Sequence, residues 1–325
     1  MIAVVGGAGY IGSHMVKYLR KKGEPVVVFD NLSKGHLEAV SGAELVQGDL
    51  RNPDDLNRLF SNRSIECVMH FAAYASVGES MRLPDLYYDN NVVGCCRLLE
   101  AMQRRGVKMM IFSSSAAVYG EPESIPIDES CPKSPTNPYG ETKLVMERML
   151  GWYDQAYGLR SVSLRYFNAA GADPEGELGE DHDPEEHLIP IVLQVALGKR
   201  AGMKVFGADW PTPDGSCVRD YVHIWDLAQA HYQALQRLRS GAQTSAYNLG
   251  NGKGYSVLQV IQAAEKVTDR RIAWEPAPRR PGDPATLVAS SERALGELGW
   301  QPDYPDLEEI VRHAWVWHQT HPDGY

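Results

Sequence analysis

The sequence predicts an α/β protein: a doubly wound parallel sheet with helices on both faces, followed by a smaller C-terminal α/β lobe. In the first 170 residues, short β-branched or apolar runs alternate with longer amphipathic stretches. This β-α-β rhythm is typical of a parallel sheet, because each crossover helix returns the chain to the same end of the sheet. After Asn168 the rhythm breaks into a loop-like stretch, 171–186, that is dense in glycine, proline and acidic residues.

The same pattern gives approximate bounds for each element. The predicted strands are Ile2–Val5, Pro25–Phe29, Glu44–Val46, Cys67–Phe71, Met109–Phe112 and Ser161–Tyr166. The predicted helices between them cover 11–22, 53–60, 86–105 and 139–157. Beyond the break we expect helices at 188–198, 225–238, 256–267 and 306–319, a strand at 246–249 and a Pro/Arg-rich loop at 276–284. The expected division is a first domain over 1–170, with 225–249 as a candidate to return to it, and a second lobe over 171–325.

The composition is that of an ordinary globular protein, with 43% hydrophobic and 23% charged residues over 325 positions. The formal net charge of −10 argues against broad binding to nucleic acid, which needs clustered lysine and arginine. The sequence has neither an apolar run of about 18 residues nor a secretory signal pattern, so we expect no membrane partner and no export. Its five cysteines lack C-x-x-C spacing, which favours reduced thiols in a cytoplasmic protein.

Three glycines, Gly6, Gly9 and Gly12, directly follow the first predicted strand and open the first helix. A pyrophosphate can rest on a helix N-terminus only where the backbone comes close, and glycine lacks the Cβ that would block it. Asp30 lies at the tip of the second strand, where a carboxylate can accept hydrogen bonds from both ribose hydroxyls and would repel a 2′-phosphate. This combination predicts a Rossmann-type site for NAD rather than NADP.

Tyr139 and Lys143 lie four residues apart at the start of a predicted helix, so their side chains face the same way. A free tyrosine has a pKa of about 10, but a nearby ammonium and a cationic nicotinamide would both favour the phenolate. Ser115 follows the predicted strand Met109–Phe112, and such strand ends point at the ligand crevice of an open parallel sheet. A Tyr-x-x-x-Lys pair alone also fits a surface helix, but beside the glycine motif and the serines we expect these three residues to be catalytic.

These features resemble the extended short-chain dehydrogenase/reductase family and, within it, the nucleotide-sugar 4-epimerases. The resemblance extends over nearly the whole chain, and its last three motifs are more specific than the nucleotide fold. The motifs are Gly6 to Gly12, His70 to Ala73, Tyr87 to Asn91, Ser113 to Gly120, Leu164 to Asn168, Gly215 to His223 and Arg279 to Asp283.

The resemblance implies two sets of binding residues besides the catalytic Ser115, Tyr139 and Lys143. The NAD site would include Gly6, Gly9, Tyr10, Ile11, Gly12, Asp30, Asn31, Asp49, Leu50, Phe71, Ala72, Ala73, Asn90, Lys143 and Phe167, with Asp49 near the adenine. A UDP-sugar would be held by Ser115, Tyr139, Asn168, Leu188, Phe206, Arg219, Arg280, Asp283 and Leu287. Two arginines suit a diphosphate, and Phe206 offers a stacking face for uracil.

The implied activity is NAD-dependent, reversible C4 epimerisation of UDP-glucose and UDP-galactose through a transient 4-keto sugar, by a homodimer that pairs through the helices near 86–105 and 139–157. A UDP-pentose or UDP-uronate 4-epimerase would use the same residues and stays an open alternative. A rival of another class, a non-catalytic NAD-sensing regulator, would not need the three catalytic residues. A nucleotide-sugar 4,6-dehydratase would need an acid pair where this chain has Ala116 and Ala117.

The sequence departs from the family pattern at three positions. Val5 replaces a usual threonine and Ala75 an occasional lysine, so each loses a cofactor contact. Leu287 stands where members carry either a large tyrosine or a small residue that controls access of N-acetylated sugars, which leaves UDP-GlcNAc and UDP-GalNAc open as substrates. The run Glu180 to Asp183 with Glu186 and His187 matches no metal-ligand spacing, so we expect a solvated loop and no metal.

Overall fold

A seven-stranded, fully parallel sheet forms the centre of the molecule. The computed structural model describes residues 1–40, 42–280 and 283–325. Across the sheet the strands are β11 (Ser245–Leu249), β6 (Arg160–Tyr166), β5 (Met109–Ser115), β4 (Cys67–His70), β1 (Ile2–Val5), β2 (Val26–Asp30) and β3 (Glu44–Gln47). The predicted fold class is confirmed. Since the strand order reverses between β1 and β4, a ligand crevice is expected at the carboxyl ends of these two strands.

Helices cover both faces of the sheet. The helices are α1 (Tyr10–Lys21), α2 (Pro53–Phe60), α3 (Val77–Ser80), α4 (Pro84–Tyr87), α5 (Gly94–Arg105), α6 (Pro138–Tyr157), α7 (Leu188–Ala196), α8 (Ile224–Arg239), α9 (Val257–Thr268), α10 (Glu292–Leu298) and α11 (Leu307–Thr320). None of the helices in the described ranges combines the length and the apolar character that crossing a bilayer requires.

The alternation of side chains along β1 explains the two layers. Ile2 and Val4 pack in one apolar cluster with residues of α1 and α8, whereas Ala3 and Val5 pack in a second cluster with residues of α2, α5 and α6. Successive side chains of a strand point to opposite faces, so a strand buried on both sides is apolar throughout. The central sheet is therefore buried, and its strand ends are left as the place for chemistry.

The smaller lobe packs α7, α9 and α11 around a third apolar cluster. Short strands complete it: β7 (Asn168–Ala170), β8 (Met203–Phe206), β9 (Val218–Arg219), β10 (Tyr221–His223), β12 (Tyr255–Ser256), β13 (Trp274–Ala277) and β14 (Thr286–Leu287). Strand β11 pairs in parallel with β6, so a segment after residue 170 forms one edge of the central sheet. The division of the chain at residue 170 stays a prediction.

Two of the predicted elements differ from the structure. The single helix expected at 86–105 is interrupted by a wider, π-helical turn at Tyr88–Val93, a feature that often marks functional sites. The loop expected at 276–284 begins too early, because Trp274–Ala277 pairs in parallel with β8. Proline at 276 is tolerated there because the ladder uses the Ala273 and Ala277 carbonyls and needs no amide from residue 276.

Candidate active site

The turn between β1 and α1 is packed so closely that two of its glycines are required by the fold. Gly6 has φ of +81°, and a Cβ there would lie 2.4 Å from the Ala72 nitrogen, in the chain that follows β4. A Cβ at Gly12 would lie 2.0 Å from the Gly6 carbonyl oxygen. Gly9 differs, since its nearest neighbour would be 3.7 Å away. The open space at Gly9 is therefore available to a ligand.

The N-terminus of α1 faces this space and has the character of an anion site. Gly9 is its N-cap residue, no side chain in the described residues caps it, and its first turn holds no acidic residue. The first amide groups of a helix lack intrahelical partners and lie at the positive end of the helix dipole. These residues fit the pyrophosphate of a dinucleotide.

Asp30 is held in place at the end of β2. Its carboxylate accepts hydrogen bonds from the Ala8 nitrogen and the Leu32 nitrogen, both at 2.9 Å. Burial raises the pKa of Asp30, and these bonds oppose that rise. Beside it, the Asn31 amide donates to Asp49 (3.0 Å). The structure thus brings together the acid and amide groups that the sequence assigns to the adenosine end.

Other residues that the sequence assigns to the NAD site make hydrogen bonds or apolar contacts around the same turn. Tyr10 donates its hydroxyl to the Gly171 carbonyl oxygen (2.7 Å), and Ile11 and Phe71 pack against one apolar cluster. Leu50 is buried in the second cluster, which Ala72 also contacts.

Three further residues of this set lie farther along the chain. Ala73 is half-buried in the segment that follows β4. Asn90 lies in the π-helical turn and donates to Asn91 (3.0 Å). Phe167, just beyond β6, belongs to a separate cluster with Ala116 and Leu144.

The catalytic candidates meet where β5 ends and α6 begins. Asn137 caps α6 by accepting from the Gly140 nitrogen (2.9 Å). Tyr139 and Lys143 therefore both lie on this helix, one turn apart. The Lys143 ammonium donates to the Ser113 carbonyl oxygen (2.7 Å) and lies 5.7 Å from the centre of the Tyr139 ring. The Ser115 hydroxyl accepts from the Ala117 nitrogen (3.1 Å) and is close enough to Tyr139 to act on the pKa of its phenol.

The electrostatics of this trio differ from the expectation that Lys143 shifts Tyr139 toward phenolate. Burial raises the pKa of Tyr139, and the hydrogen bond from Ser115 lowers it by less. Burial also lowers the pKa of Lys143 to about 8. In the structure the desolvation of the phenol therefore decides the direction of its pKa shift, and the nearby Lys143 ammonium is itself desolvated.

A buried ionic network behind the trio was not predicted. Glu147, one turn beyond Lys143, accepts from the Ser114 hydroxyl (2.6 Å) and forms a two-pronged pair with Arg165 (2.8 and 2.6 Å). Arg165 also donates to the Tyr119 hydroxyl (2.9 Å). This network ties α6 to the ends of β5 and β6. The signal in the sequence that could have indicated this network was the position of Glu147, four residues after Lys143.

Asn91 is a second missed residue. Its buried amide exchanges hydrogen bonds with the Tyr74 backbone (2.9 and 3.1 Å) and donates to the Thr142 hydroxyl (3.1 Å). The π-helical turn is thereby fastened to α6 beside Lys143. The sequence signal was a pair of asparagines inside an otherwise helical stretch.

The residues assigned to the nucleotide end of the sugar substrate form a charged and aromatic cluster. The Arg280 guanidinium lies 4.8 Å from the Phe206 ring centre and donates to Asp283 (3.0 Å). Arg219 lies 3.8 Å from the same carboxylate and donates to the Pro284 carbonyl oxygen (3.0 Å). Pro281 and Gly282 of this motif lie outside the described residues.

The remaining substrate candidates connect this cluster to the catalytic elements. Asn168 bonds through its backbone nitrogen to the Asp220 carbonyl oxygen (2.9 Å). Leu287 is the β-sheet partner of Arg219 and packs in the cluster that contains Phe167. Leu188 begins α7 and is half-buried against the third apolar cluster.

Comparison with known proteins identifies the family. The model of the NAD dependent epimerase/dehydratase family matches residues 2–250. The chain belongs to this family. A UDP-glucose 4-epimerase of Halalkalibacterium halodurans is 57% identical, covering 100% of this chain and 97% of that protein.

Solved structures of the same epimerase/dehydratase family superpose along the whole chain. One UDP-glucose 4-epimerase has a TM-score of 0.98 at 53% identity and covers 100% of this chain and 99% of its own. Another, from Bifidobacterium longum in complex with NAD+ and UDP, has a TM-score of 0.94 at 38% identity with the same coverage. The open space at Gly9 and the fixed carboxylate of Asp30 fit the cofactor that gives the family its name.

The expectation of a solvated loop at Glu180 to Asp183 with Glu186 and His187 is correct only in part. Asp183, Glu186 and His187 are exposed, whereas Glu180 and the intervening Glu185 are buried. Their carboxylates lie against the rings of His182 and His187. Buried carboxylates need such partners to offset the lost hydration.

Proposed function

We propose that this protein interconverts UDP-glucose and UDP-galactose by inverting C4 of the sugar, with NAD bound at the β1–α1 turn. The observation that carries this proposal is the meeting of Ser115, Tyr139 and Lys143 at the carboxyl end of β5. The names of the full-length relatives support the same substrate.

The chemistry of the chain itself is proton transfer at the sugar 4-hydroxyl. Tyr139 takes the hydroxyl proton as C4 loses its hydride, and the sugar becomes a 4-ketose. Ser115 bonds the same oxygen and relays the proton, while Lys143 provides positive charge beside the phenol. NAD held at the β1–α1 turn by the space at Gly9 and by Asp30 would supply the acceptor and donor of the C4 hydride and a positive charge that favours the phenolate. Inversion is complete when the hydride is back on the opposite face of C4 and the proton is back on the C4 oxygen.

Inversion requires that the sugar turn over while the rest of the substrate stays fixed. Arg219 and Arg280 provide bidentate donors for a diphosphate, and Phe206 a face for uracil. The strong anchors are therefore gathered at the nucleotide end, away from the ring that must rotate.

The direct test is a substrate panel with NAD content measured on the purified protein. UDP-galactose should give UDP-glucose with no net reduced cofactor. Turnover of UDP-xylose or UDP-glucuronate without UDP-galactose would favour a pentose or uronate epimerase. Bound NAD with no turnover of any member would favour the non-catalytic regulator.

The finer specificity rests on Leu287. Its side chain is half-buried beside Phe167, and a tyrosine there would occupy more of the space next to the sugar. We therefore include UDP-GlcNAc and UDP-GalNAc as substrates of the wild type. Leu287→Tyr should reduce their turnover and leave that of UDP-galactose unchanged; equal losses for both sugar types would contradict this role.

We also place the protein in the cytoplasm as a homodimer. All five cysteines are free thiols. On the helices proposed to pair, Trp152 of α6 is 68% exposed and Val93, next to α5, is 41% exposed. Sedimentation should give a dimer that Trp152→Glu converts to monomer, whereas Trp274→Glu, on β13, should leave it intact.

A further inference from the structure

Four metal-ligating side chains converge in the loop that precedes α7. Glu180, His182, Glu185 and His187 each offer one nitrogen or oxygen, and the four atoms lie within 4.8 Å of one another. The spacing, Glu-x-His-x-x-Glu-x-His, puts all four on one short segment. The proposed epimerisation uses none of them.

Four distances between these side chains, with Glu185 contributing a different oxygen to each histidine, bracket the edge of a metal tetrahedron. His187 Nδ1 lies 2.8 Å from Glu180 Oε1 and 3.2 Å from Glu185 Oε1. His182 Nδ1 lies 3.3 Å from Glu180 Oε1 and 3.7 Å from Glu185 Oε2. Ligands about 2.0–2.1 Å from a tetrahedral zinc ion are roughly 3.3–3.4 Å apart. The four observed separations straddle that value.

The hydrogen bonding of the cluster is incomplete at His182, whereas His187 Nδ1 forms a hydrogen bond with Glu185 Oε1 (3.2 Å). His182 Nδ1 is buried and, among the described residues, has no hydrogen bond despite its short distance to Glu180. Both imidazoles turn Nδ1 toward the same carboxylate oxygen. The His182 nitrogen, which faces this oxygen without a hydrogen bond, is oriented as a metal ligand would be.

The charged partners of the two buried carboxylates are the histidines of the cluster itself. The Glu180 and Glu185 side chains are 5% and 4% exposed, and in the described ranges they pair with His182 and His187 rather than with a lysine or arginine. A nearby acidic group provides a contrast, since Asp173, Glu175 and Glu177 surround the Lys17 ammonium. An imidazole can exchange its proton for a metal ion, which a lysine ammonium held in this way does not do.

The loop connects parts of the molecule that are far apart in sequence. The His182 ring packs edge-on against Tyr10 of α1, with ring centres 6.2 Å apart. Between the ligands, Asp181 accepts from the Tyr325 nitrogen (3.1 Å) and its carbonyl contacts His36 Nε2 (3.1 Å). An ion here would fasten the loop to α1 and to the C-terminal segment.

We propose that Glu180, His182, Glu185 and His187 bind one zinc ion per chain as a structural site. All four tetrahedral positions are taken by protein atoms, which is the arrangement of structural rather than catalytic zinc. The half-exposed ring of His187 provides the route of entry. The site stabilises the loop and takes no part in the chemistry at C4.

Metal analysis of the intact protein tests this proposal. After exposure to zinc and gel filtration, the wild type should carry about one zinc per chain, and cobalt substitution should give the intense visible bands of a tetrahedral ion. His187→Gln and Glu185→Gln should lose both signals. Glu177→Gln, in the neighbouring acidic group, should keep them.

Thermal stability provides a second measurement. Removal of zinc with a chelator should lower the Tm of the wild type, and added zinc should restore it in a concentration-dependent way. Substoichiometric zinc with no tetrahedral cobalt spectrum, or a Tm indifferent to zinc, would overturn the proposal and leave the cluster as a histidine–carboxylate network. Because the cobalt spectrum needs only the wild type, a variant that fails to fold does not remove the test.

Discussion

At the scale of single residues, the state of Tyr139 is set by opposing influences. Burial favours the neutral phenol, while the Ser115 hydroxyl stabilises the phenolate. The Lys143 ammonium is held by the Ser113 carbonyl rather than by the phenol itself. The surroundings of Tyr139 in the protein favour the neutral phenol on balance, and the positive charge of bound NAD would act in the opposite direction.

Tyr139→Phe tests whether this hydroxyl transfers the proton. The change removes one oxygen, and kcat for UDP-galactose should fall by about 10²–10⁴, the usual value of acid–base catalysis. Tyr157→Phe, an exposed position on the same helix, is the matched control and should not change kcat. A loss of less than about tenfold for Tyr139→Phe would rule out the role.

The residue scale also shows what sequence reasoning can reach. Tyr139 and Lys143 are one helical turn apart, so their common direction follows from spacing alone. The pairing of Arg165 with Glu147 joins residues 18 positions apart in different elements, and no local pattern predicts it. Burial depth, which decides the sign of the Tyr139 pKa shift, likewise depends on the folded chain.

At the scale of elements, the β1–α1 unit contains two kinds of glycine. Gly6 and Gly12 are required by the packing of the fold, whereas Gly9 is required only by the ligand. Gly12→Ala would place a methyl 2.0 Å from the Gly6 carbonyl oxygen and should destabilise the NAD-free protein by about 1–3 kcal/mol. Gly9→Ala meets nothing closer than 3.7 Å, so its stability should change by less than about 0.5 kcal/mol. Urea unfolding of the NAD-free forms measures both.

The two variants should also be compared in their cofactor content, where the loss is expected in Gly9→Ala. In Gly9→Ala the methyl group stands where the backbone must approach a pyrophosphate, so the NAD retained per chain should fall. Full NAD occupancy in Gly9→Ala would show that the pyrophosphate lies elsewhere.

A second element-scale prediction concerns the pair that joins α6 to β6. Arg165→Met leaves the buried Glu147 carboxylate without its partner and should cost about 3–5 kcal/mol in urea unfolding. Adding Glu147→Leu should recover part of that loss, because the unpaired charge is removed as well. Arg97→Met breaks an exposed pair on α5 and should cost at most about 1 kcal/mol. Equal costs for the two arginines would contradict this account.

For whole elements, sequence periodicity located the strands and helices of the central sheet to within a few residues. It failed where tertiary pairing decides, as at Trp274–Ala277, which is mostly exposed and contains proline yet extends along β8. It also missed α10, since seven residues with an internal glycine give too short a pattern.

At the scale of the whole molecule, the protein buries histidines that must stay neutral. His14, His70 and His231 are essentially without exposure, and each has at least one ring nitrogen lacking a partner among the described residues. Desolvation lowers their pKa values to about 4, 3 and 4. Since the unfolded value is about 6.5, the unfolded chain binds more protons than the folded one from there downward.

Stability should therefore be lost as pH falls below about 6.5, before most carboxylates titrate. Each of these three histidines contributes up to about 1.4 kcal/mol per pH unit, so together they account for a slope of up to roughly 4 kcal/mol per unit between pH 6.5 and 5. Urea midpoints across this range measure the slope. His231→Gln should reduce the slope by the contribution of one proton, up to about 1.4 kcal/mol per pH unit. A flat profile would mean that these rings are protonated in the folded protein, and hence that water reaches them.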